Sequence, residues 1–124
     1  MSQIPEGARR VAATLAERGH PHEVVMLPVT GRTAADAAQA LGVHLGQIAK
    51  SIVFRRRSDD AAVLVVTSGD LRVDEKKVSA LVGKIGRADA DFVKSATGFS
   101  IGGVSPVGLN RSPVVLVDRE LFRF

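Results

Sequence analysis

Cysteine, tryptophan and tyrosine are all absent from this chain of 124 residues. Without cysteine there is no disulfide, no thiolate zinc site, no iron–sulfur ligation and no cysteine nucleophile. The absence also fits a reducing compartment, the cytoplasm. Aromatic residues amount to five phenylalanines. Modules that read RNA sequence stack bases on exposed rings, so a stacking sheet is not expected here. No apolar run approaches the roughly 20 residues of a bilayer span. The most apolar stretch, AAVLVV at 61–66, is the size of a strand. No basic-then-apolar leader opens the chain, and there is no repeat or low-complexity tract. The expectation is one soluble, cytoplasmic domain over residues 1–124 with no membrane partner.

What is present is a modest excess of positive charge. Lysine and arginine number 17 against 13 acidic residues, a net charge of +4. An arginine-rich small domain can be drawn to a polyanion such as RNA. A charge of this size also does no more than keep a small protein soluble, and taken alone it favours that reading.

The pattern along the chain alternates helix and strand signals irregularly. Pro5 to Arg18 carries Val11 and Leu15 at helical spacing, with Gly19 as a stop. Glu23 to Leu27 reads as a short strand closed by Pro28. Thr33 is a good N-cap for a helix that Gly42 ends. LGQIAK is a further helical turn that delivers Lys50 to a strand. SIVFRRR and AAVLVVTSGD are strands separated by Ser58, Asp59 and Asp60, a hairpin turn signal. VDEKKVSALVG is an amphipathic helix with Val73, Val78, Leu81 and Val82 on its apolar face. KIGR reads as a brief strand, DADFVKSATG as a helix ending at Gly98, and SPVVLVD as a last strand. The hairpin breaks regular βα alternation. The fold class expected is therefore α+β, a mixed and largely antiparallel sheet flanked by helices.

Two features stand out as chemistry. Lys50 sits at the mouth of an apolar strand, where its ammonium could hold a phosphate, a carboxylate or a developing oxyanion. A snorkelling lysine at a strand end is the competing reading, and pattern alone favours it. The stretch GFSIGGVSPVG, residues 98–108, holds four glycines. Gly102 and Gly103 let the backbone approach a ligand and aim amides at it. Pro106 stiffens the far side and Ser105 adds a hydroxyl. A plain structural turn explains most such clusters. The Gly-Lys-Ser/Thr ending of a phosphate loop is missing, as is a Gly-x-Ser-x-Gly elbow. His20, His22 and His44 are too scattered to suggest a metal site, and no cofactor is expected. Arg55, Arg56 and Arg57 could meet an RNA backbone, though such a run is more often a solvated turn. Asp70 and Asp74 read as turn and cap residues, and Asp118 as an ambiguous strand end.

Taken in order, TAADAAQALGVHLGQIAKSIVFR, SGDLRVDEKKV and ADADFVKSATGFSIGGVSPVGL resemble the YbaK/ProX family, across roughly residues 5–118. These are free-standing relatives of the editing domain inserted in bacterial prolyl-tRNA synthetases. Lys50 matches the family's lysine before the central strand, and Gly102 to Pro106 matches its Gly-x-x-x-Pro loop. The resemblance implies a trans-editing deacylase that hydrolyses the ester of a small mischarged amino acid on tRNA, foremost tRNA(Pro). Its partners would be the 3′ end of an aminoacyl-tRNA and a prolyl-tRNA synthetase. It implies that the substrate's own ribose hydroxyl helps activate water, which would account for the lack of an obvious protein base. On this reading Lys50 fixes the terminal phosphate or backbone of the tRNA, and the Gly102 and Gly103 amides stabilise the carbonyl oxygen. Ser105 and Pro106 shape the pocket, and Met26 with Pro28 to Thr33, including Thr30 and Arg32, sets specificity. Family members usually continue past the last strand, whereas this sequence stops at Phe124. A fragment and a site built with fewer parts both account for that. A non-catalytic tRNA- or synthetase-binding homologue is the alternative function, and a small-molecule hydrolase is a third.

Overall fold

A computed structural model of the chain describes residues 5–27, 33–110 and 113–124. Helix α1 spans Glu6–Glu17 and α2 spans Ala34–Leu41. Thr33 caps α2, its hydroxyl accepting from the Asp36 N–H, and Gly42 ends it in the left-handed conformation. A 3-10 turn, Leu45–Gln47, leads into strand β1, Ala49–Arg56. Strand β2 (Ala62–Ser68), helix α3 (Glu75–Val82), strand β3 (Ile85–Arg87) and helix α4 (Ala90–Thr97) follow. Strand β4, Val114–Val117, precedes a closing 3-10 turn, Arg119–Arg123.

The four strands lie in the order β3-β1-β2-β4. β1 is antiparallel to both β2 and β3, while β4 runs parallel to β2. The sheet is thus mixed and largely antiparallel with helices packed on it, as the sequence predicts. β2 is buried along its whole length because it is central and covered on both faces. On one face Phe54, Val63 and Val65 pack with Val78 of α3 and Ile85, and partly buried Val73 and Val82 close the layer. Period-two alternation sends Leu64 to the opposite face, and Val93 and Ala96 of α4, a helix in contact with β2, are also buried. Leu64 is fully buried, so Leu64→Ala is expected to cost about 2–5 kcal/mol through lost contacts and a residual cavity. Urea unfolding reads that as a lower midpoint at unchanged slope.

Two expectations fail locally. Glu23 to Leu27 form no strand, since no strand among the described residues pairs with them, and Val25 and Met26 are exposed. Leu81 is 73% exposed rather than part of the core face. The helix has only about two turns, which seat Val78 and leave Leu81 on its flank.

Candidate functional site

The site begins with an unfinished strand edge. β1 starts at Ala49, yet β3 pairs only with Phe54, Arg55 and Arg56. Among the described residues, therefore, no strand covers this edge of residues 49–53. The Gly69 N–H donates to the Ile48 carbonyl at 2.7 Å and the Arg56 N–H to the Ala61 carbonyl at 2.8 Å. Antiparallel pairing alternates, so even-numbered residues of β1 turn their main chain toward β2. The N–H and C=O of Ser51 consequently face the open edge.

The loop after α4 lies against that edge, and the two border a half-open cavity of about 490 Å³. β1 contributes Ser51 to Phe54, α4 contributes Val93, and the loop contributes Ile101, Gly102 and Val104. Ala88 completes a mostly aliphatic wall, and the exposed residues Glu75 and Arg87 add one charge of each sign. Small-molecule sites typically fall in the range of about 300–1,000 Å³.

The glycines in the loop are not equivalent. The Gly103 N–H donates to the Ser100 carbonyl at 2.9 Å, and Gly102 has φ +85°. That combination is a type II turn, whose third residue needs a positive φ and so selects glycine. The Gly103 amide is thereby engaged inside the turn. The Gly102 N–H has no acceptor among the described residues. Ser105 works locally as well, its hydroxyl accepting from the Val107 N–H at 3.0 Å. Pro106 is exposed beside it.

Lys50 is half-buried as the second residue of β1, opposite Thr67 of β2. It directly precedes Ser51, the first of the four β1 residues that border the cavity, and is not itself among the lining residues. Gly102 and the strand that carries Lys50 are therefore brought together. Met26 and Thr33 are exposed and do not line the cavity, and Thr33 is engaged as the cap of α2. Thr30 and Arg32, with Pro28, lie outside the described residues. Sequence reasoning missed Glu75 and Arg87, which carry no local signal for a site. Ser51 and Ile52 were within reach, because they directly follow Lys50 on an apolar strand.

The arginine run belongs mostly to the hairpin. Arg55 pairs with Asp60 and Arg56 with Asp59, each at 2.7 Å. The Arg56 hydrogen bond pulls the Asp59 carboxyl down from 3.8 to about 2. Asp70 does more than turn the chain. Both of its oxygens accept from Arg123 at 2.8 Å, tying the last 3-10 turn to the end of β2. Hydrogen bonds from Ser68 and Arg123 hold its carboxyl below the ordinary range. Asp118 caps that same turn, accepting from the Glu120 N–H at 2.9 Å.

A mixed sheet whose β1 edge is uncovered over residues 49–53 among the described residues, with a glycine turn beside it, defines an α+β domain with an edge cavity. The chain belongs to the aminoacyl-tRNA editing domain family, whose profile matches residues 29–124. YwhH, an uncharacterized protein of Bacillus subtilis, is 38% identical over 104 residues, which are 83% of this chain and 66% of YwhH. The proline–tRNA ligase of Thermoanaerobacter sp. strain X514 is 28% identical over 111 residues, 86% of this chain but 19% of the ligase. A crystal structure of a candidate trans-editing enzyme for prolyl tRNA synthetase superposes with a TM-score of 0.89 at 42% identity. That match covers 98% of this chain and 78% of the other. The family resemblance read from the residues and the fold class are both borne out. Among the described residues no helix is long and apolar enough to cross a membrane.

Proposed function

We propose that this domain is a trans-acting aminoacyl-tRNA deacylase that removes a small mischarged amino acid, foremost from tRNA(Pro). Residues 1–124 work as one editing unit in the cytoplasm, meeting the 3′ end of the tRNA and serving a prolyl-tRNA synthetase. The observation that carries the reading is the Gly102 turn set against the open edge of β1 across a cavity of about 490 Å³, in a chain of the editing family.

The chemistry asks little of the protein. Water adds to the aminoacyl carbonyl carbon, and the carbonyl oxygen gains negative charge. The bond to the ribose oxygen then breaks, and that oxygen leaves as a hydroxyl, taking up a proton. Free amino acid and tRNA result. An amide already aimed at the developing charge costs no reorganisation at the moment of reaction. The Gly102 N–H fills that role, while the Gly103 amide can join only if its bond to Ser100 opens. The aliphatic wall from Ile52, Val53, Val93 and Val104 suits a small apolar side chain and keeps bulk water away. Lys50, adjoining the cavity-lining Ser51, takes the terminal phosphate rather than the carbonyl in this reading.

The test is direct. tRNA(Pro) is charged separately with alanine, cysteine, serine and proline, and release of each amino acid is followed. Cleavage of at least one mischarged species with prolyl-tRNA spared is the expected outcome. Binding of tRNA(Pro) without cleavage of any species would sink the deacylase reading in favour of a binding module. Cleavage of simple aminoacyl esters alone would favour a small-molecule hydrolase.

A further inference from the structure

The cavity depends on where the loop after α4 sits, and that loop is anchored by a helix outside the family match. α1, Glu6–Glu17, precedes the matched residues 29–124. From it Arg10 reaches both ends of the loop. Its Nη2 donates to the Thr97 carbonyl at 2.9 Å, where the loop leaves α4. Its Nη1 donates to Asn110 Oδ1 at 3.4 Å, where the loop returns. The Asn110 N–H also donates to the Thr97 carbonyl, at 3.1 Å, closing the base. The guanidinium carbon stands 4.2 Å from the centre of the Phe99 ring, just inside the loop.

The neighbouring glycines are shaped around this contact. A Cβ on Gly98 would stand 2.5 Å from Arg10 Nη2 and 2.7 Å from Asn110 Oδ1. A Cβ on Gly108 would stand 3.2 Å from the Thr14 hydroxyl and 3.6 Å from Arg10 Cγ. Gly98 and Gly108 both hold positive φ as well, 82° and 74°. A planar guanidinium can hydrogen-bond in its plane while its face lies on an aromatic ring, which a lysine ammonium cannot reproduce. No carboxylate among the described residues pairs with Arg10, so its fork is committed to the loop.

We infer that Arg10 is a positioning residue that pins the base of the loop and thereby holds the Gly102 amide against the edge of β1. Its effect on catalysis rests on the deacylase reading above; its effect on the loop does not. The experiment therefore has two arms, each run on Arg10→Ala and Arg10→Lys in the full chain.

Amide hydrogen exchange by NMR is the first arm. Exchange at Gly103 and Asn110 is expected to accelerate at least tenfold in both variants, with Val63 to Val66 unchanged. Unchanged loop exchange overturns the pin, and so does a parallel rise in sheet and loop, which marks general destabilisation.

Deacylation kinetics are the second arm. The expected result is about a tenfold fall in kcat with KM within twofold, partly restored to Arg10→Ala by added guanidinium. A loosened loop with normal kcat overturns the catalytic part. If the unaltered protein cleaves no aminoacyl-tRNA, the function reading fails and exchange alone still decides whether Arg10 holds the loop.

Discussion

Lys50→Ala lowers kcat/KM for the cleaved aminoacyl-tRNA by about 10- to 150-fold, the equivalent of one charge-assisted hydrogen bond of about 1.5–3 kcal/mol. The fold survives, because Lys50 is only half-buried and contributes nothing to the core layer of Phe54, Val63 and Val65. The position of the residue sets the form of the loss. It adjoins the cavity-lining Ser51 without lining the cavity itself, so its ammonium is expected to meet the tRNA backbone outside the reacting group. The defect therefore falls on KM, and the slope of log KM against log salt drops by roughly one phosphate contact. Lys50→Arg keeps the charge and retains most of the affinity. Steady-state kinetics across a salt series decides the matter. A loss confined to kcat at unchanged salt slope would move Lys50 to the carbonyl oxygen, and full activity in Lys50→Ala would remove it from the site.

The second large effect separates two adjacent glycines. Gly102→Ala meets no steric obstacle, since a Cβ there has nothing within 4 Å. It must nonetheless hold φ +85°, which costs an L-residue roughly 1–2 kcal/mol. The turn relaxes, the Gly102 N–H swings away, and kcat falls by about 10²–10³, as for loss of one oxyanion donor. Gly103→Ala behaves differently in the free protein. Its φ is not in the left-handed region, and its Cβ would lie 3.6 Å from the Ser100 carbonyl, an ordinary contact. Its stability is expected to stay within about 0.5 kcal/mol of the parent. Activity lost in Gly103→Ala at unchanged thermal midpoint then reports a substrate that approaches the backbone too closely for a methyl group. Thermal unfolding and single-turnover deacylation on the same samples make the comparison. If Gly102→Ala cleaves normally, the free amide is not the oxyanion donor.

These two variants show how far local sequence could carry the site. That residues 98–108 bend sharply was legible, because a proline and four glycines leave few other conformations. Which glycine amide stays available was not. It follows from where the turn begins, since starting at Ser100 engages the fourth residue's amide, Gly103, and leaves the third's, Gly102, without a partner among the described residues. The arginine run is a similar case. Three consecutive arginines suit a polyanion by composition, but the hairpin turn brings Asp59 and Asp60 back onto Arg56 and Arg55.

Helix ends were readable for a simple reason. Thr33, Asp74 and Asp89 cap through side-chain oxygens that reach N–H groups three residues on, and Gly42 and Gly98 end helices in a conformation that favours glycine. Such interactions are complete within one turn of chain, so the sequence by itself determined them, along with the continuous apolar run that becomes the buried β2 and the ordered motifs that mark the family. The short run at Glu23 to Leu27 shows the limit, since β propensity without a partner strand makes no ladder. The tertiary structure alone decided the cavity, its charged members Glu75 and Arg87, and the hold of Arg10 on Thr97 and Asn110. Those contacts join segments far apart in the chain. Their geometry depends on strand register and on where β3 stops pairing with β1, neither of which any local stretch encodes.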